Sequence, residues 1–111
     1  MRNQDAITVS RLREVLFISE AGAVSFIAMS GHARPGDPAR LKMRKGRYWI
    51  RIDGHVMDMT RVAWAYHHGS WPRFLVWHVV AQPWNYSVGN IMKWKDFDAA
   101  ERAKSAAVRA R

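Results

Sequence analysis

Apolar side chains recur at Val9, Leu12, Val15 and Leu16, the three-and-four spacing of one helix face, and predict a helix over residues 8–17. Thr8 and Ser10 are its candidate caps, since a hydroxyl can accept from an N–H that the first turn leaves unpaired. Ser19-Glu20-Ala21-Gly22 reads as a turn into a short strand over residues 23–29. Residues 30–46 break the pattern. Polar, basic and punctuated by Gly31, Pro35, Gly36, Pro38 and Gly46, they form the longest predicted loop and the segment expected to be least ordered.

The clearest element is a hairpin. Tyr48-Trp49-Ile50-Arg51-Ile52 alternates, Asp53-Gly54 is a strong tight-turn pair, and His55-Val56-Met57 returns. Alternation sets Tyr48, Ile50 and Ile52 on one face, with Trp49 and Arg51 on the other. A short helix is predicted over 61–68, ended by Gly69 and then Pro72. Residues 74–80 read as an apolar strand, and 81–87 as a loop broken by Pro83. A last helix runs from about Asp96, with Asp98 and Glu101 at capping-box-like spacing. The expected fold class is α+β: one small domain over residues 1–111, built of antiparallel hairpins and helices.

Composition narrows the chemistry. A chain of 111 residues, 49% apolar, has room for one modest core and is not disordered throughout. No apolar run approaches the ~18 residues of a membrane span. The opening MRNQDAITVS has no secretory-type apolar stretch, so the expected location is cytoplasmic, with no membrane partner. The absence of cysteine excludes disulfides, Cys-containing zinc sites and thiol nucleophiles. Eighteen Lys and Arg against nine Asp and Glu leave a net charge of +9, the footprint of a polyanion binder, with nucleic acid as the expected partner. The cations fall in two clusters: Arg34, Arg40, Lys42, Arg44, Lys45 and Arg47, then Arg102, Lys104, Arg109 and Arg111. A charge run is often only a solvated face, yet phosphate contacts need nothing beyond Lys and Arg.

Four segments carry a resemblance when taken in order: SRLREVLFISEAGAVSF, RPGDPARL, GRYWIRIDGHVMDMTRVAWAYHHGSWP and WHVVAQPWNYSVGNI. Together they resemble the small HNH endonucleases of phages and mobile elements, across roughly residues 10–100. The most specific match is Arg61-Val62-Ala63-Trp64 followed by Gly69-Ser70-Trp71-Pro72. The resemblance implies a ββα unit and metal-assisted phosphodiester hydrolysis, with a histidine as general base on water and an asparagine orienting it. The base position falls on His78 and the orienting position on Asn90. The two positions where that family holds its cation fall on Trp77, in place of Asp, and near Ala99, in place of Asn or His. Indole and methyl groups cannot coordinate a hard cation that needs oxygen ligands. A pseudo-nuclease is therefore expected, with no cofactor, no bound metal and no active catalytic residue.

Alternatives stand beside several of these residues. His78 is either a half-buried structural relic or a base, and Asn90 either its partner or a turn residue. Asp96 or Asp98 is the candidate for a rebuilt ligand, although Asp98 also suits a helix N-terminus. His67 and His68 are adjacent, about 100° apart around a helix, and do not face one ion. Trp64 and Trp71 are expected in the core. Trp77, Trp84 and Trp94 either plug the former metal region or form an exposed surface for bases or for a host protein that the chain inhibits. DNA binding without catalysis leads, followed by host-protein inhibition and then a nuclease with a rebuilt site.

Overall fold

A computed structural model describes residues 7–79 and 85–109, with side chains to residue 106. Helix α1 (Val9–Val15) starts where Thr8, in extended conformation, accepts from the Arg11 N–H at 3.1 Å, and it buries Leu12 and Val15. The helix stops earlier than its apolar spacing predicts. Leu16 turns extended and opens β1 (Leu16–Ile18), which pairs antiparallel with β2 (Val24–Phe26), Leu16 opposite Phe26. Leu16 is buried either way, so the burial pattern did not distinguish helix from strand.

Residues 30–46 are more structured than expected. Short bridges join Ser25 to Pro38 and Ser30 to Ala33, and β3 (Lys42–Arg44) pairs with β4 (Arg47–Ile52). An edge strand built only of exposed side chains has no apolar alternation, which is why the pattern missed it. The hairpin forms as predicted. Strand β4 returns into β5 (His55–Asp58) through Asp53 and Gly54, both left-handed at φ 50 and φ 82. Ile50 and Ile52 are buried, while Arg51 is exposed.

Helix α2 (Met59–His68) starts two residues before the predicted point. Its cap is Asp58, whose side chain accepts from Thr60 N–H at 2.9 Å, and it ends at Gly69. Met59, Val62, Ala63 and Ala65 enter the same core as Leu12, Leu16, Ile50, Ile52 and Val76. Strand β6 (Val76–His78) starts two residues after the predicted strand over 74–80, whose residue 80 lies outside the described residues. After residues 80–84, which lie outside the description, a 3-10 turn (Val88–Asn90) leads into β7 (Ile91–Lys93), antiparallel to β6.

Helix α3 (Trp94–Arg109) follows β7 directly, two residues before the predicted start. Asp98 therefore lies a full turn inside the helix and does not cap it; its carboxylate pairs with Arg102 at 3.1 Å. The architecture is α+β: three helices, a three-stranded sheet β3-β4-β5 and two antiparallel pairs among the described residues. No helix of the described residues is long and apolar enough to cross a membrane.

Candidate functional site

Residues 85–90 return the chain from the end of β6 to the start of β7, and they are held from several sides. The Tyr86 N–H donates to the Gly22 carbonyl at 2.9 Å, and the Asn90 N–H to the Ser87 carbonyl at 2.9 Å. The Tyr86 carbonyl meets His67 Nε2 at 2.7 Å. The Asn85 side-chain oxygen accepts from the Ser87 hydroxyl at 2.8 Å. Tyr86 itself is fully buried, and burial is the first reason its phenol is pushed well above the usual tyrosine range, with Asp58 and Tyr48 adding to it.

Close approach is possible here because residue 22 is glycine. It sits at φ 91, and a β-carbon there would lie 2.5 Å from Tyr86 N and 2.7 Å from Ser87 N. The Asn85 side-chain oxygen and the backbone of Tyr86 and Ser87 occupy the space that any side chain would need.

His78 and Asn90 converge on one atom, the carbonyl oxygen of Asn85. Asn90 Nδ2 donates to it at 2.8 Å, and His78 Nε2 also bonds it. A carbonyl only accepts, so Nε2 carries a proton, and in the neutral ring the lone pair is left on Nδ1. The imidazole lies flat on Tyr86, centroids 4.6 Å apart and planes within 7°. The Asn90 carbonyl accepts from the Val79 N–H at 2.9 Å, closing the two strands beside the pair. His78 is half-buried and Asn90 is 4% exposed. The two residues that the sequence paired are therefore neighbours, linked through Asn85.

The positions read as vacated metal ligands lie in different surroundings. Trp77 meets Trp94 at 4.7 Å between centroids and Phe97 at 6.0 Å, and Trp94 meets Phe97 at 5.7 Å. Ala99 is exposed. The α3 residues that meet Trp77 are thus Trp94 and Phe97, and the family spacing singled out neither as a ligand position. Among the described residues, no group of three or more His, Cys, Asp or Glu is arranged to hold a metal ion. Trp77 is 39% exposed, so the aromatic cluster is not a closed plug; Leu75 and Val88, at 50% and 55%, are exposed too. Trp84 lies outside the described residues.

The basic residues divide into two kinds. Arg34, Arg40, Lys42, Arg44 and Lys45 are exposed, and none of them forms an ion pair among the described residues. Arg47 differs: its guanidinium pairs with buried Asp58 at 3.0 Å and donates to the Val76 carbonyl at 3.3 Å. It ties β4 to the start of α2 and to β6, so its charge is spent inside the fold. Arg102 pairs with Asp98, and Lys104 lies 3.7 Å from Glu101, both on an exposed helix surface. The Arg109 side chain and Arg111 lie outside the described residues.

Sequence reasoning missed Asn85, Tyr86 and Phe97. Asn85 acts through its backbone carbonyl, which no residue type encodes, whereas Tyr86 had a signal in being a large aromatic inside a polar loop. No family model matches this chain, and no similar curated protein or solved structure is found.

Proposed function

We propose that this protein is a DNA-binding module of HNH-nuclease-like architecture without phosphodiesterase activity. The observation that carries the reading is the run of five exposed cations, Arg34, Arg40, Lys42, Arg44 and Lys45, without an ion pair among the described residues, on the loop and edge strand beside the β4–β5 hairpin. A strip of unpaired Lys and Arg binds phosphates by releasing their condensed counterions. The strand–strand–helix order of β6, β7 and α3, with His78 ending β6 and Asn90 preceding β7, supports the architectural half. Against catalysis stands the aromatic packing of Trp77, Trp94 and Phe97, which supplies no oxygen to a hard cation.

Duplex binding measured against salt tests it. Each phosphate neutralised contributes about 0.9 to the log–log slope, so replacing Arg40, Lys42, Arg44 and Lys45 together by Gln should flatten the slope by about 2–4. Removing residues 102–111 should have a smaller effect, because Arg102 and Lys104 already have acidic partners. Wild-type affinity weaker than about 10⁻⁴ M near physiological salt, below the usual non-specific range, would refute the proposal.

A second reading has its own observation. Trp77, Leu75 and Val88 leave apolar surface exposed, and aromatic anchors of this kind suit a host-protein contact. Under that reading Trp77→Ala abolishes partner binding, and the charge variants change mainly the association rate.

A further inference from the structure

A cleft of about 600 Å³ opens between the end of α2, the 70–74 connection and β7, and its described lining includes neither the 34–45 cations nor His78 and Asn90. That volume falls within the range of about 300–1,000 Å³ usual for small-ligand sites. Aromatic rings form its wall. His68 lies on Trp64 with centroids 3.8 Å apart and planes 24° apart, while Phe74 meets Trp64 edge-on at 5.0 Å. Trp71 is fixed beside them, its indole N–H donating to the Ile7 carbonyl at 2.9 Å.

The wall is held in place before any ligand arrives. Arg61 donates to the Pro72 and Phe74 carbonyls, and the Trp94 N–H donates to Leu75 at 2.8 Å. Two cations also line the cleft. Arg73 is exposed, and Lys93 stands 4.7 Å over the Phe74 ring. No carboxylate is among the described lining residues. His68 is exposed, and partial burial, then His67 and Lys93, hold its pKa below the ordinary histidine value. At neutral pH it therefore offers an uncharged flat ring.

A flat uncharged ring beside two cations matches a flat heterocycle that carries a phosphate. We propose that this cleft binds an unpaired nucleotide of a nucleic-acid strand, its base stacked on the His68–Trp64 pair and its phosphate between Arg73 and Lys93. The inference rests on the nucleic-acid reading above and narrows its ligand. A base inside a duplex has both faces covered by its neighbours, so only an unstacked base can enter such a wall. The cleft thus selects single-stranded or opened segments, whereas the cation strip binds any phosphate backbone.

Two measurements test it. In the first, the Trp64 and Trp71 indole N–H resonances are followed as dTMP, thymidine or inorganic phosphate is added. Saturating shifts with dTMP, and much weaker ones with either half alone, are expected. No indole shift at millimolar dTMP, or an equal response to phosphate alone, overturns the proposal. The second compares a labelled ten-residue oligothymidylate with a 20-base-pair duplex, on wild type and on His68→Ala/Phe74→Ala. His68 is exposed and Phe74 is 36% exposed, and a cooperative thermal melt with unchanged duplex affinity checks that the variant retains its fold. Single-strand affinity should drop about tenfold or more, as expected for a lost stacking platform, with duplex affinity within about twofold. Unchanged single-strand affinity with duplex binding intact overturns the cleft and leaves the proposed function standing. Failure of wild type to bind either polymer, with dTMP still saturating, overturns the strand form of the proposal together with the nucleic-acid reading.

Discussion

Gly22→Ala tests the seating of residues 85–87, on which the His78–Asn90 arrangement depends. Gly22 is left-handed at φ 91, and an alanine there carries a conformational cost of about 1–2 kcal/mol. Its β-carbon would also meet Tyr86 N at 2.5 Å and Ser87 N at 2.7 Å. These are backbone atoms, which cannot swing aside as a side-chain tip can. Relief requires the segment to withdraw, which breaks the 2.9 Å bond from Tyr86 N–H to the Gly22 carbonyl, about 1 kcal/mol net. It also begins to unseat the fully buried Tyr86 ring, and complete loss of such a ring costs about 3–5 kcal/mol. The expected total is at least ~3 kcal/mol, or a fall in Tm of roughly 10–20 °C for a chain this small. Gly36→Ala is the internal control. It has nearly the same φ, 93, but nothing within 4 Å of its β-carbon, so it carries only the conformational part. Thermal melts of the two variants followed by circular dichroism isolate the close approach. If they melt within about 2 °C of each other, residues 85–87 are not packed on Gly22 and the arrangement around Asn85 falls with them.

Three further outcomes follow from the geometry. Arg47→Ala should destabilise by ~3 kcal/mol in urea, the lower end of about 3–5 for breaking a buried pair because Arg47 is itself 35% exposed; at a temperature where it stays folded its DNA salt slope should match wild type. Arg11, then Ser30, hold the Asp53 carboxyl below the ordinary aspartate range. The stability this lends is full above about pH 4 and is lost as pH falls through the lower folded value, so Asp53→Asn, which keeps a left-handed turn residue, should flatten the acid limb of urea midpoint against pH. An unchanged acid limb would contradict the Arg11–Asp53 pairing. Trp77→Asp with Ala99→Asn should not nick plasmid with Mg²⁺ or Mn²⁺, because the rings of Trp94 and Phe97 pack on position 77 while residue 99 is exposed, and ligands without their supporting shell do not make a site. Nicking by the double variant that His78→Ala abolishes would show that only the two ligands had been lost.

The amino-acid order alone determined the parts of this protein that rest on local rules. The β4–β5 hairpin was legible because Asp53-Gly54 supplies two left-handed residues between alternating side chains, and the end of α2 because Gly69 takes the left-handed position after it. The Thr8 cap and the α+β class were legible for the same reason, and the cation strip because charge does not depend on fold. Tertiary structure decided what depends on partners distant in sequence. Leu16 left its helix for a strand because Phe26 was there to pair with it, and β3 exists because β4 offers it an edge. Arg47 looked like one more cation of its run, yet Asp58 and Val76, eleven and twenty-nine residues away, take its guanidinium into the fold. His78 and Asn90 were found by type and spacing, but the atom that joins them is a backbone carbonyl, identical in every residue and placed only by the packing of Tyr86 against Gly22. The Trp64–His68 wall likewise formed from helix neighbours, and became a cleft only when Phe74 and Lys93 arrived from other elements.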